Sequence, residues 1–374
     1  MTSLVEIKRI LIEKGAEKHA MNRRILEKFN NTHVKIIEQV NPEDNDWSAG
    51  MDKNSLRLID FQGEFLKPCP GTNEYICCGY QILHTGTNCP LDCSYCILQA
   101  YFNQPSLRIF VNLEKKLAQV GKTLDSQPEK IFRIGTGEFA DSLALDNITD
   151  ASNIITNFFK GRKNAVLELK TKTDEIGGLL RFPQRDRIIV SWSLNSSYIA
   201  SKEEHRAPSI KKRLKAARKC QEEGYLLGFH FDPLIRHFNW QEGYSRTIDM
   251  MNKYIDPKKV IWISMGCIRY IPSLKPVIRK RHPNTHVLDG EFIKGMDGKK
   301  RYFKPIRIET YRYINNLILE WKGDKDGVYL CMESDEVWKK SLGWSPETSD
   351  GLSEYLDNRV RVMFNSPLVE NCLL

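Results

Sequence analysis

Three cysteines carry the strongest chemical signal in the chain. Cys89, Cys93 and Cys96 stand in "GTNCPLDCSYCILQAYF", a C-x3-C-x2-C array. Thiolates are the usual ligands of iron–sulfur clusters, and four normally close one. With only three from one loop, one iron of a [4Fe–4S] cube keeps an open coordination position. An open position separates a catalytic metal from a closed structural one, as it does at zinc. A small chelating molecule can bind that iron and receive an electron. Three cysteines also admit a zinc site completed by a distant Cys or His, or packed free thiols. The triplet spacing, with aromatic Tyr95 just before Cys96, favours the cluster.

Such a loop needs a scaffold. From about residue 75, short apolar runs alternate with helical stretches: "EKIFRIGTG", "AVLELKTK", "RIIVSWSLN", "YLLGFHFDPL", "KVIWISMGC" and "GVYLCMES". In "SIKKRLKAARKCQEEG", Ile210, Leu214, Ala217 and Cys220 share one helical face and Gly224 stops the helix. Strands buried on both sides and alternating with helices predict a parallel sheet with helical crossovers. A full or partial barrel is the preferred form, and an open doubly wound sheet the alternative. In barrels the chemistry gathers at the carboxyl ends of the strands. The polar residues there are Glu138, Asp141, Lys172, Ser193, Asn195, Asp232, Cys267 and Glu333. A buried structural role is also open to each. Residues 1–60 read as a small α/β extension: a helix in "AEKHAMNRRILEKF", a strand in "HVKIIEQV" and a loop over "NPEDNDWSAGMDKNS". The barrel is expected over 75–345, with a basic β-hairpin at 290–306 and a tail at 346–374.

With 374 residues, 41% hydrophobic, the chain has ample material for a large core. No window approaches the roughly eighteen consecutive apolar residues of a spanning helix. The N-terminus lacks a signal-peptide core, so a soluble, cytoplasmic protein without membrane contact is expected. Ten cysteines in such a chain read as metal or redox chemistry rather than a disulfide framework. The net charge is +9, and the excess is uneven. Between Arg269 and Arg312 many Lys and Arg face only Asp289, Glu291, Asp297 and Glu309. A local positive field of that kind suits a polyanion such as nucleic acid.

The triplet, with Tyr95 before Cys96, resembles the motif of the radical S-adenosylmethionine (SAM) superfamily. The chain is similar nearly end to end to the spore photoproduct lyase family within it. The carrying segments include "KTKTD", "WSLNSSYI", "GYLLGFHFDPLI", "SMGCIRYIPSLK", "RHPNTHVLDGEFIKGMDGKKRYFKPIRIETYR" and "VYLCMESDEVW". The resemblance implies a partial (β/α)6 barrel in which Cys89, Cys93 and Cys96 hold a [4Fe–4S] cluster. SAM would chelate the fourth iron and be cleaved reductively to methionine and a 5′-deoxyadenosyl radical. An electron donor such as flavodoxin or ferredoxin is implied as well. Glu138 would meet the amino group of SAM and Lys172 its carboxylate. Asp141, Ser193 and Asn195 match polar residues around the cofactor, and Tyr95 would pack beside the adenine. Arg301 and Tyr302 match a family Arg-Tyr pair on a hairpin that lies against DNA near the lesion. The reaction implied is carbon–carbon cleavage in a thymine photoproduct, as DNA repair.

Two positions depart from the family. Its hydrogen-donating cysteine belongs to a "CTSD"-like segment after the second barrel strand, where this chain reads "GEFAD". Its tyrosine after the last cluster cysteine is replaced by Ile97. Cys267 is the expected substitute thiol, with inert burial as the alternative. A radical SAM enzyme with another substrate, or a non-catalytic zinc-stabilised nucleic-acid-binding protein, are the rival functions. Cys69, Cys77 and Cys78 lack tight ligand spacing and are expected to pack near the motif. His282 and His286 have helical zinc spacing, but Pro283 argues against a helix there.

Overall fold

The apolar runs form one curved sheet in the computed structural model, which describes residues 6–29, 33, 35–40, 52–102, 104–181 and 183–364. Its strands are β1 (Gln81–Leu83), β2 (Phe132–Gly135), β3 (Ala165–Thr171), β4 (Ile188–Ser193), β5 (Leu226–Leu234), β6 (Val260–Cys267) and β7 (Val328–Leu330). They lie side by side in chain order and all run parallel. Leu66–Pro68 closes the β1 edge antiparallel. The six expected strands are therefore present, and Gln81–Leu83 adds a seventh. The sheet curls into a half-barrel with helices on its outer face, because each crossover returns the chain over the same side. The helix Ile210–Glu222 buries Ile210, Leu214, Ala217 and Cys220 as its periodicity predicts. Ser209 caps its first turn, and Gly224 takes φ +90° after its end.

The N-terminal extension is a second sheet. Lys35–Val40, Arg9–Glu13, Asp52–Ile59 and Ser106–Phe110 lie side by side in that order, all parallel. Gly86–Thr87 joins the last of them antiparallel. Two of these strands lie beyond residue 60, and the cysteine loop is the connection between those two. The expected loop at 41–55 is corrected in part. Residues 41–51 lie outside the described residues, but Asp52–Ile59 is a strand. Its polar start is misleading because Lys53 and Ser55 are buried and hydrogen-bonded, Ser55 to Asp52 and Lys53 to the Cys89 carbonyl.

The hairpin forms as expected, with Ile293–Lys294 antiparallel to Lys300–Arg301. Arg269–Tyr270, just after β6, adds a third strand and ties the hairpin to the barrel. The expected tail is corrected as well, since Ser349–Phe364 is a helix burying Leu352, Leu356, Val360 and Met363. Arg359 Nε donates to the Ile261 carbonyl of β6 at 3.1 Å. Arg133 of β2 reaches this helix too, pairing with Asp357 at 2.7 Å while its own side chain is 4% exposed. No helix among the described residues is long and apolar enough to cross a membrane.

Asp357→Ala leaves the Arg133 guanidinium buried without its counter-charge. The expected result is a loss of about 2 kcal/mol of unfolding free energy, read as a lower urea midpoint.

Candidate active site

Strand β3 sets the chemistry of the half-barrel. Side chains alternate across a strand, so Glu168, Lys170 and Lys172 all point into the concave side. All three line a cavity of about 360 Å³, together with Gly137 and Glu138 after β2, Ser193 of β4, His230 and Asp232 of β5, and Ser264 of β6. Glu168 anchors its floor. Tyr80 donates to its Oε2 at 2.8 Å, Trp262 to its Oε1 at 2.7 Å, and Ser191 to the same oxygen. His230 Nε2 stands 2.8 Å from Oε1, and His230 Nδ1 is 2.6 Å from Ser264 Oγ. Burial alone would raise the Glu168 carboxyl, but His230, Lys170 and the Ser191 hydroxyl hold it at about 2. Gly135 makes this packing possible, since a Cβ there would lie 1.5 Å from the Tyr80 hydroxyl.

Above that floor, Lys170 pairs with Glu138, and Arg269 grips Asp232 through two contacts of 2.9 and 3.1 Å. A Cβ at Gly266 would sit 2.6 Å from that guanidinium, so a glycine leaves the pair its room. Arg269 Nη2 also donates to the Cys331 thiol at 3.3 Å.

The cysteine loop meets the cavity from the other side. Cys89, Cys93 and Cys96 all contribute to its wall. Asn88, at φ +68°, begins the loop, and its amide donates to the carbonyls of Gln104 and Ser106 at 2.9 and 2.7 Å. Lys53 holds the Cys89 carbonyl. Arg281 donates to Asp92 at 2.8 Å and to Gln99 at 2.5 Å. Behind Cys93 stands Glu204, 2% exposed, whose carboxylate receives Tyr95, Arg213 and, at 3.0 Å, Lys172. Burial would raise this carboxyl too; Arg213 and Lys172 hold it at about 2. Burial pushes the Cys93 thiol up to about 12 and the Cys89 thiol higher still.

The donor set tests which group would fit. Cys89, Cys93 and Cys96 share the cavity wall, which fits three thiolate donors of an iron–sulfur cluster.

The spore photoproduct lyase family model matches residues 76–317. The chain belongs to the spore photoproduct lyase family. It is 28% identical to spore photoproduct lyase of Geobacillus sp. (strain Y412MC61) over 231 residues, 61% of this chain and 66% of that protein. It is 25% identical to spore photoproduct lyase of Clostridium acetobutylicum over 311 residues, 79% of this chain and 87% of that one. Among solved structures it resembles a substituted spore photoproduct lyase with bound AdoMet and dinucleoside spore photoproduct. That match has a TM-score of 0.77 at 23% identity and covers 88% and 99% of the two chains. The half-barrel is thus the radical SAM fold of the spore photoproduct lyases.

Relative to that family, several expected residues are brought to the cavity and several are not. Tyr95, Glu138, Asp141, Lys172 and Ser193 line it with the three cysteines. Lys172 is already engaged, with Nζ 2.6 Å from the Tyr95 hydroxyl, 3.0 Å from Glu204 and 3.8 Å from Cys93 Sγ. Asp141 is a turn anchor, accepting from the amides of Leu143, Ala144 and Lys172 and from the Thr171 hydroxyl. Asn195 stands outside the cavity wall. It is buried, donating to the Pro233 carbonyl at 3.0 Å and accepting from Tyr244 at 2.6 Å.

Cys267 is also outside the wall, because the alternation of β6 sends Ser264 inward and Cys267 toward Tyr311 on the helix Lys304–Lys322. Arg301 and Tyr302 are not presented at the surface. Arg301 is 2% exposed, paired with Asp297 at 2.6 Å and lying 4.1 Å over the Tyr75 ring. Tyr302 is buried against Phe292, its hydroxyl accepting from the Arg236 amide at 3.2 Å. The hairpin turns them inward because it packs on the barrel as part of a three-stranded sheet. Cys69 and Cys78 line the cavity, while the Cys77 thiol lies 3.5 Å from the Thr72 carbonyl. His286 is exposed beside Asp289.

Sequence reasoning missed Glu168, Lys170, His230, Arg269, Lys299 and Cys331, all on the cavity wall. For β3 a signal existed: charges at every second position of "ELKTK" inside an apolar run.

Two predictions follow from these contacts. Glu168 is depressed well below the ordinary glutamate value near 4.5, so its stabilisation is complete above that pH and is lost as pH falls toward 2. Urea unfolding at pH 7 and pH 3 should show that loss in the wild type. Glu168→Gln should be weaker by on the order of 3 kcal/mol at pH 7, with a flatter acid limb. Asn88→Ala removes two hydrogen bonds and a residue tolerant of positive φ. Iron bound per chain after anaerobic reconstitution should fall about twofold or more, with the fold intact by circular dichroism.

Proposed function

We propose that this protein is a radical SAM lyase that repairs a thymine photoproduct in DNA. One observation carries the reading: three family-matched cysteines and the polar interior of β3 to β6 share one cavity. Cys89, Cys93 and Cys96 are the residues that would hold a [4Fe–4S] cluster, and SAM would take the vacant iron. Together, when bound, they supply a 5′-deoxyadenosyl radical, chemistry that belongs to the cofactors.

The chain's own groups place and protect. Lys172 and Tyr95 fix the position of Cys93 through Glu204. Glu138 and Ser193 offer acceptors on the cavity wall for the ammonium and hydroxyl groups of SAM. Arg269, held by Asp232, and Lys299 offer cationic groups on the cavity wall for the lesion. A lesion in a duplex reaches this cavity only after it is turned out of the stack. A solved family member carries a dinucleoside spore photoproduct, which supports a substrate of this kind.

After cross-link cleavage, a thymine radical needs a hydrogen atom. Cys267 does not reach the cavity, so Cys331 is the better donor. It follows β7 directly, lies beside Arg269, and burial holds its thiol protonated. The S–H bond breaks as the C–H bond forms, leaving a sulfur radical. Ile97 on the same wall, in place of the family tyrosine, supports a second reading: the same radical chemistry on a different substrate.

The deciding assay is reduced, reconstituted enzyme with SAM and an oligonucleotide containing spore photoproduct. Restored thymine is the expected product. SAM cleavage without thymine favours the second reading, and no 5′-deoxyadenosine at all defeats both. Cys267→Ala should leave the product distribution unchanged. Cys331→Ala should divert the product radical to by-products, lowering thymine yield about tenfold.

A further inference from the structure

The most exposed large apolar side chain among the described residues is Phe238, at 91%. A single exposed apolar residue is ordinary and asks for no function. Phe238 differs in how it is held and in what surrounds it.

It sits at the tip of the short loop between β5 and the helix Trp240–Tyr254. The last residues of β5, Asp232 and Pro233, are cavity wall. The loop is braced along its length. The Ile235 amide donates to the Tyr244 hydroxyl at 2.8 Å, and the Arg236 amide to the Tyr302 hydroxyl at 3.2 Å. His237 Nε2 lies 2.8 Å from Ser196 Oγ, and its Nδ1 lies 2.6 Å from the Phe238 carbonyl. Tyr198 stacks on the His237 ring at 4.7 Å. Asn239 takes φ +58° and turns the chain into the helix. A ring on a fixed loop pays little further entropy when it binds something.

The surroundings are apolar and basic together. Eight large apolar side chains are exposed among the described residues. Six of them lie in segments that follow cavity-lining strands or loops in the chain or in the hairpin: Tyr101 after the cysteine triplet, Tyr198 beyond β4, Phe238 beyond β5, Ile293 and Met296 in the hairpin, and Phe303 after it. Arg236, Lys294, Lys299 and Lys300 belong to the same segments, opposed by Glu291, Asp297 and Glu309. Asp297 is paired with Arg301 and Lys299, and Glu309 with Arg236, so Lys294 and Lys300 carry the basic character of the hairpin. Phosphates fit the cations, and exposed bases fit the rings. Tyr302, which the family resemblance places on a hairpin against DNA, is buried and cannot fill a gap in the duplex without unpacking.

We propose that Phe238 is a wedge that enters DNA and occupies the space vacated when the lesion turns into the cavity. This rests on the reading of the protein as a DNA repair enzyme. An aromatic ring in the vacated position replaces lost stacking and keeps the base from returning.

Substrate size tests it. A dinucleoside spore photoproduct needs no extrusion, whereas the same lesion in a duplex does. Wild type and Phe238→Ala, both reconstituted, are compared on the two substrates, with Phe238→Trp as the conservative control. Phe238→Ala should lose roughly tenfold in duplex repair and stay within about twofold on the dinucleoside. Phe238→Trp should retain duplex repair. Affinity of the metal-free protein for a duplex with one abasic site, relative to an intact duplex, should fall in parallel with Phe238→Ala.

Equal losses on both substrates, or full duplex repair and unchanged abasic-site preference in Phe238→Ala, overturn the wedge. So does self-association of the wild type that Phe238→Ala abolishes, which assigns the face to a second copy of the chain. If the wild type repairs neither substrate, the reading as a repair enzyme fails at that control. A wild type active on both with an indifferent Phe238→Ala removes the wedge alone.

Discussion

One buried carboxylate couples the two halves of the site. Glu204 lies at the end of the helix that follows β4, and its backbone bridges to Cys93. Its side chain gathers Arg213 from the helix Ile210–Glu222, Lys172 from the end of β3 and Tyr95 from the cysteine loop. Burying a charge is costly unless partners surround it, and here they come from three different elements. Moving Arg213 or Lys172 would leave a buried cation without its counter-charge. The cysteine loop has little regular structure of its own, so this network fixes its distance from the barrel.

The N-terminal sheet completes the clamp. The loop leaves from Gly86–Thr87 and returns through Ser106–Phe110, adjacent strands of that sheet. Asn88 closes the loop's base, and Lys53 holds Cys89 from a third strand. An extension that reads as a separate lead-in is therefore part of the support for the cysteines. A cluster needs its thiolates set before it binds, and two sheets with one salt-bridge network between them provide that rigidity.

The polar floor answers a different need. The half-barrel interior carries charged and polar side chains, and unpaired polar groups there are expensive. Glu168 resolves this by accepting from Tyr80, Ser191 and Trp262 and meeting His230, one residue from each of four strands or their flanks. The same arrangement keeps Lys170 free of Glu168 hydrogen bonds and lets it reach up to Glu138.

The cysteine triplet, the alternating strands and helices and the basic hairpin were legible in the sequence because each is local. Spacing, periodicity and turn residues act over a few positions. The face of Glu168, Lys170 and Lys172 was readable in principle from every second residue of β3. Which thiol meets the cavity was not: Cys267 and Cys331 both follow apolar runs, and only strand alternation against packed helices separates them. Arg301 and Tyr302 were legible as family matches, but their burial depends on the third strand Arg269–Tyr270, distant in sequence. Glu204 gave no signal at all, because its partners converge from residues 95, 172 and 213 only after folding. The sequence by itself determined the kind of chemistry, since ligand spacing is a property of one loop. The tertiary structure alone decided which side chains face it, since pairing a buried charge requires contacts among elements far apart in the chain.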